Sequence, residues 1–366
     1  MGDARMPKTR HGGAREDYLE RFGCLPQDFS ANVNPLGMSP AARQAAIAAV
    51  DQAVFYPDPN SRRLVGAIAA HDGVPESCVV VGNGAADLIC RLAAAMAPRR
   101  ALVLAPTFSE YEDALCQAGC EVVRHELLLQ EDLVPTDRLL DDVVPGIDVV
   151  FVCEPNNPTG LCMGRPLLVR LLERCRQVGA RLVVDECFNG FLPDPKGSSV
   201  RSLAVSNPHL VILAAFTKLY GMAGLRLGYL MCSDAELTHR VAAVGQSWPV
   251  SCVAQAAGVA ALADADFVER TRCVVGLERE RLMSALECLG LEVWCGQANY
   301  LLLRSRVENL YELLAERGVL VRDCSNYHGL GPGFVRVAVR RHQENDLLIE
   351  TIGDVLSDAA DKGGEL

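Results

Sequence analysis

No apolar run in this 366-residue chain is long enough to cross a bilayer, although half of its residues are hydrophobic. Positive charge is also in deficit: 35 Lys and Arg face 46 Asp and Glu, a formal net charge of -11. That balance repels nucleic acid and anionic membrane at long range, so neither is expected as the main partner. Any anionic ligand must then be caught by local cations. No segment resembles a signal peptide, and the sixth position, where a myristoylation signal needs Ser or Thr, is Met6. Cytoplasm is the expected location. Internal repeats, low-complexity tracts and a flexible linker are missing too. The composition is that of one large soluble protein with ample core.

The fifteen cysteines do not form a disulfide framework, for their number is odd and they are spread through apolar segments. Cys90, Cys153, Cys187 and Cys232 are examples, and mostly buried thiols are expected. The closest pair, Cys116 and Cys120, has no second pair or histidine cluster near it, so no metal is expected.

Between about residues 78 and 232, short β-branched runs alternate with helical stretches such as Ala85 to Ala97 and Leu167 to Val178. The runs are Val79-Val-Val, Ala101 to Ala105, Glu121-Val-Val, Val149 to Cys153, Arg181 to Asp185 and Leu210 to Leu213. Near-continuous apolar strands separated by helices predict an α/β fold with a mostly parallel sheet covered on both faces, its ligand at the carboxyl ends of the strands. Beyond about residue 245, a long helical pattern from Asp266 to Leu289 and three later strand-like runs predict a smaller α+β domain, closed by a helix from about His342. The expected division is an arm over 1–44 joining the small domain, a large domain over 45–244 and the small domain over 245–366. The first 40 residues hold no long regular pattern, and Asn32-Val-Asn-Pro-Leu-Gly reads as a turn-rich segment crossing a surface.

The chemistry gathers where strands end. Lys218 follows a strongly apolar strand and stands eight residues before Arg226. A lysine that attacks a carbonyl must be neutral, and burial near a cation such as Arg226 would lower its pKa. Gly82-Asn-Gly-Ala-Ala-Asp leads from a strand into a helix, and the free N–H groups of a helix start make a seat for phosphate. No Gly-Lys-Ser/Thr follows, so it is no Walker loop. Phe108 offers a flat face for stacking a ring. Asn157, held between two prolines in Pro155-Asn-Asn-Pro-Thr-Gly, can donate to a phenolate-like oxygen. Asp185 ends a buried strand and is costly there unless a cation meets it. Together these match the groups of pyridoxal 5'-phosphate: aldehyde, phosphate, ring face, ring oxygen and ring nitrogen.

At this point the chain resembles the aspartate-aminotransferase-like enzymes of fold type I, through Pro155-Asn-Asn-Pro-Thr-Gly, Asp185-Glu, Thr217-Lys218 and Gly224-Leu-Arg-Leu-Gly-Tyr. Within them it is similar to the histidinol-phosphate aminotransferase branch, and to the threonine-phosphate decarboxylases of cobalamin biosynthesis that belong to it. The narrower likeness rests on His11-Gly-Gly, Asp28 to Gly37, Tyr56-Pro-Asp-Pro and Gly318 to Leu330. The resemblance implies that Lys218 forms the internal aldimine, Asp185 meets the pyridine nitrogen, Asn157 the ring hydroxyl, and Phe108 the ring face. It places the phosphate on the Gly84, Ala85 and Ala86 amides with Thr217 and Arg226, and Tyr56 reaching in from the partner of a homodimer. It makes Arg336 the carboxylate binder and Arg322 the binder of substrate phosphate, and it has His11 and Asn32 close over the substrate together with Asn157. Two hydroxyls frequent in relatives are replaced by Ala215 and Ala86, which shifts the phosphate cup toward backbone N–H groups and Arg226.

The implied activity is decarboxylation of O-phospho-L-threonine, with O-phospho-L-serine as a close variant because one methyl separates them. The alternative is histidinol-phosphate amino transfer. A ligand-sensing module on the same fold is disfavoured, since no basic DNA-binding segment accompanies it.

Overall fold

The computed structural model describes residues 12–363. Thirteen strands alternate with helices among them. A short β1 (Gln27–Asp28) precedes the strands of a seven-stranded sheet: β2 (Val79–Gly82), β3 (Arg100–Ala105), β4 (Glu121–Glu126), β5 (Val149–Cys153), β6 (Arg181–Asp185), β7 (Leu210–Ala215) and β8 (Gly228–Met231). The remainder are β9 (Glu292–Trp294), β10 (Tyr300–Arg304), β11 (Val319–Leu320), β12 (Arg322–Asp323) and β13 (Phe334–Ala338).

In the large sheet the order is β2-β8-β7-β6-β5-β3-β4. Only β8 runs against its neighbours; being antiparallel to both β2 and β7, it leaves those two parallel to each other. Six carboxyl ends therefore share one edge, and the segments that follow β2, β3, β5, β6 and β7 meet there. Both faces of the sheet are covered. Leu102, Leu104, Val150, Val152, Leu182 and Val184 enter one core cluster, while Ala101, Val103, Val149, Phe151 and Val183 enter another. Burying each large aliphatic side chain stabilises by about 1.5–3 kcal/mol, which is why these strands are apolar at consecutive positions.

A four-stranded antiparallel sheet, β12-β13-β10-β9, packs on the helix Ala265–Cys288 and shares a core cluster with Leu348, Ile352 and Val355 of the helix His342–Gly363. β1 pairs in parallel with β11, Gln27 opposite Val319, and joins the early chain to this side. Among the described residues, no helix is long and apolar enough to cross a membrane.

The early chain holds no long element but does form the short helix Arg15–Phe22, pinned by the Tyr18 hydroxyl donating to the Ala315 carbonyl at 2.7 Å. Two expectations need correction. The segment Asn32 to Gly37 does not cross a surface: Asn32 and Asn34 are buried, and Asn34 Nδ2 donates to Leu219 O at 2.6 Å and to Thr271 Oγ1 at 2.9 Å. Its polar residues are satisfied by distant backbone rather than by water. Nor are the thiols mostly buried. Six of the fifteen are buried and six exposed, Cys90 among the latter, and none is paired. Cys90 stands on the outer side of the helix Ala85–Met96, whose inner side carries Leu88, Ile89 and Leu92.

Candidate active site

At the end of β2, Gly84 takes φ +84° and caps the helix Ala85–Met96 without any side-chain cap. A Cβ on Gly84 would lie 2.7 Å from Arg226 Nη2, and one on Gly228 would lie 2.8 Å from the Ala85 nitrogen. Only glycines let the helix start, the Arg226 guanidinium and β8 close together. The Ala85 and Ala86 amides, in the first turn, have no intrahelical acceptor to use.

After β7 the chain turns sharply through Thr217 and Lys218 and re-enters the sheet at β8. The turn is braced from the arm: Asn34 N–H donates to Lys218 O at 3.0 Å, beside Gly221 N–H at 3.2 Å. Gly221 sits so close to Gly37 that an added Cβ would fall 2.3 Å from the Gly37 carbonyl oxygen. Lys218 is half-buried, with Nζ 5.7 Å from the Phe188 ring centroid. Burial lowers its pKa to about 8, and the Arg336 and then the Arg226 charges push the same way. The cation that matters most is thus Arg336 rather than Arg226, because the small sheet carries its guanidinium into the same cavity.

Asp185, at the end of β6, is buried. Its Oδ2 accepts from the Tyr111 hydroxyl at 2.7 Å and its Oδ1 from the Cys187 N–H at 2.9 Å. Asn157, at the end of β5, lies between the Glu154-Pro155 and Asn157-Pro158 peptide bonds, both cis. Its Oδ1 accepts from Arg336 Nη1, which leaves the Nδ2 hydrogens for another partner. Phe108 meets Tyr111 edge to face, with centroids 5.6 Å apart.

Arg322 and Arg336 are both buried and stand opposite each other across the β12–β13 pair. Arg322 donates to the Asp323 carbonyl and to Asn326 Oδ1 and lies over the Tyr327 ring. Arg336 donates to Ser30 O at 3.0 Å.

A cavity of about 210 Å³ collects Asn32, Ala85, Ala86, Phe108, Asn157, Asp185, Thr217, Lys218, Arg226, Arg322 and Arg336. Gly84 stands behind it, against Arg226. Tyr56 does not line it: its side chain is 80% exposed and stacks on Trp248 at 4.4 Å. His11 lies outside the described residues. A second cavity of about 350 Å³ shares Phe108, Arg322 and Tyr327 with the first.

Several wall residues escaped the sequence reading: Tyr111, Cys153, Cys187, Phe188 and Tyr327. Tyr111 carried one signal, since it follows Phe108 by three residues and shares its side of a helix start. Cys187 and Phe188 closely follow Asp185 and Cys153 ends β5, so their place beside site residues was the signal available, whereas Tyr327 is brought in from a distant segment.

Pyridoxal 5'-phosphate fits these residues. Free amides and a guanidinium meet where its phosphate would lie, a neutralisable amine faces a buried carboxylate, and two buried polar atoms, Asn32 Oδ1 and Arg336 Nε, have no protein partner. The aminotransferase class I and II family matches residues 27–352. The chain is 39% identical to the threonine-phosphate decarboxylase of Salmonella typhimurium over 359 residues, 96% of this chain and 98% of that one. It is 34% identical to the histidinol-phosphate aminotransferase of Symbiobacterium thermophilum over 360 residues, 97% of each. The solved L-threonine-O-3-phosphate decarboxylase from Porphyromonas gingivalis matches with TM-score 0.79 and 27% identity, over 90% of this chain and 99% of that one. Fold, strand-end chemistry and these likenesses agree: the chain belongs to the class I and II aminotransferase family and is a pyridoxal 5'-phosphate enzyme.

Proposed function

We propose that the protein decarboxylates O-phospho-L-threonine to carbon dioxide and (R)-1-amino-2-propanol O-phosphate, in the cytoplasm, for assembly of the cobalamin nucleotide loop. O-phospho-L-serine, giving ethanolamine phosphate, is the close variant. The observation that carries this reading is the facing pair Arg322 and Arg336, both buried on adjoining strands beside Lys218. A guanidinium binds a carboxylate or a phosphate through paired hydrogen bonds, and a substrate bearing one of each can use both arginines. The name of the Salmonella relative supports the same substrate.

Bound pyridoxal phosphate supplies an electron sink for whichever bond is broken at the substrate's α-carbon. The protein's part is to hold and orient. Lys218, with a pKa of about 8, has a sizeable neutral fraction near neutrality and serves as the covalent anchor. Asp185 would balance the ring nitrogen, Asn157 Nδ2 would donate to the ring oxygen, and Phe108 would cover the ring. Gly84, Ala85, Ala86, Thr217 and Arg226 hold the cofactor's phosphate. Arg336 takes the substrate carboxylate and Arg322 its phosphate, while Asn32 and His11 close over them. By fixing the two anions, Arg322 and Arg336 would orient the substrate's α-carbon and so select between loss of the carboxylate and loss of the α-hydrogen.

The exposed run Val54, Phe55 and Tyr56 supports a homodimer, in which Tyr56 reaches the partner's cofactor phosphate. The test is direct. Purified protein with pyridoxal phosphate is incubated with phosphothreonine, with phosphoserine, and with histidinol phosphate plus 2-oxoglutarate, and products are identified by mass. Carbon dioxide and aminopropanol phosphate are expected; amino transfer to 2-oxoglutarate without carbon dioxide release would reverse the assignment.

A further inference from the structure

Asp185 must present its carboxylate to the cofactor ring at one angle, yet nothing on its own strand holds the side chain. Neutral donors do so, the Cys187 amide on Oδ1 and the Tyr111 hydroxyl on Oδ2, at 2.9 and 2.7 Å. The first comes from the adjoining backbone. The second comes from the other side of the site, 74 residues away in sequence.

Tyr111 is itself immobilised. It is fully buried, stacks on Phe151 with centroids 5.4 Å apart and 27° between planes, and meets Phe108 at 82°. It stands in the first turn of the helix Glu110–Gln117, three residues after Phe108. One helix start thus carries both the ring that covers the cofactor face and the hydroxyl that aims the acid. Burial first, and the Asp185 charge next, hold the Tyr111 phenol well above its ordinary pKa, so it remains a donor at any working pH. A hydrogen bond to a buried carboxylate fixes its rotamer, and the rotamer decides how a protonated ring nitrogen is met.

We propose that Tyr111 is a positioning residue for Asp185, its hydroxyl setting the orientation of the carboxylate that faces the pyridine nitrogen. The proposal rests on the reading of Asp185 as the ring-nitrogen partner.

Tyr111→Phe removes one oxygen and keeps the ring. Titration of apoprotein with pyridoxal phosphate, followed by absorbance, is expected to give a dissociation constant about tenfold higher. The midpoint of the pH titration of the bound cofactor's absorbance is expected to move by more than about 0.5 pH. Tyr111→3,5-difluorotyrosine keeps the hydroxyl and makes it a stronger donor, so its midpoint should move the opposite way; this protein decides the matter if Tyr111→Phe does not fold. In an Asp185→Asn background, Tyr111→Phe should add less than about a twofold change in affinity. Equal effects of Tyr111→Phe with and without Asp185, or unchanged affinity and midpoint, overturn the positioning role. Wild-type affinity in Asp185→Asn alone overturns the reading of Asp185 beneath it, so the two failures are told apart.

Discussion

Arg322 and Arg336 are cross-strand partners in the β12–β13 pair, both nearly inaccessible, one 4% and the other 6% exposed. Residues directly opposite in an antiparallel pair have Cβ atoms about 4.5–5.5 Å apart and point to the same face. Both guanidiniums therefore project from one face of the sheet, where a ligand carrying two anions can meet them.

Phosphate alone should therefore stabilise the holoprotein, in which the seat at Gly84, Ala85 and Ala86 would already be taken by the cofactor. At ten times its dissociation constant a ligand adds roughly 1.4 kcal/mol, enough to raise the melting temperature measurably. Arg322→Leu should abolish the phosphate-dependent rise while leaving pyridoxal phosphate binding in place. A rise that persists unchanged in Arg322→Leu would place the anion elsewhere.

Arg336 has two tasks, since its guanidinium also holds Asn157 Oδ1 and raises the cost of protonating Lys218. Arg336→Ala is expected to lower kcat/KM at least a hundredfold, about 3 kcal/mol of transition-state stabilisation. It should also raise the Lys218 pKa, so cofactor capture by apoprotein at pH 7 slows. Stopped-flow absorbance of pyridoxal phosphate addition reads the second effect separately from turnover.

The Lys218 pKa of about 8 makes the apoprotein's stability depend on pH. Between about 8 and the ordinary 10.5 the unfolded chain holds a proton there that the folded chain lacks, so stability rises with pH across that window. Below pH 8 the full penalty applies, roughly 3 kcal/mol. Lys218→Met apoprotein should be more stable than wild type by that amount at pH 7, with the gap closing by about pH 10.5. Urea denaturation at pH 7, 9 and 10.5 reads it, and a pH-independent gap would contradict the depressed pKa.

Gly84→Ala places a methyl 2.7 Å from Arg226 Nη2 at a backbone φ of +84°. The strain costs about 1–3 kcal/mol and displaces the guanidinium from the helix start. Pyridoxal phosphate should bind at least tenfold more weakly, by apoprotein titration, whereas Gly73→Ala, at a helix end where no atom lies within 4 Å of the new Cβ, should leave that affinity unchanged.

Phe55 is 69% exposed beside Val54 at 79% and Tyr56 at 80%. If this run is the contact between two copies, Phe55→Asp should yield a monomer by sedimentation and lose cofactor affinity, because Tyr56 no longer reaches a partner's site. A monomeric wild type would remove the basis of that role.

Much of this was legible in the order of residues. Strands buried on both faces must be apolar at successive positions, so β3, β5, β6 and β7 announce themselves, and the chemistry stands directly after them in Phe108, Asn157, Asp185 and Lys218. β8 did not, because Gly228–Met231 is four residues long and follows a glycine turn without a break. Its identity as a strand comes from β2 and β7, distant in sequence, which supply its hydrogen bonds.

The sequence by itself determined which groups could meet a pyridine aldehyde and its phosphate, since residue type, strand ends and helix starts are local properties. Only the tertiary structure decided that Arg336 rather than Arg226 chiefly depresses Lys218, that Asn34 braces the lysine turn, that Tyr111 holds Asp185, and that two arginines face each other. Those relations depend on strand register and on contacts between remote segments, and through-space electrostatics follows distance, which linear order does not encode.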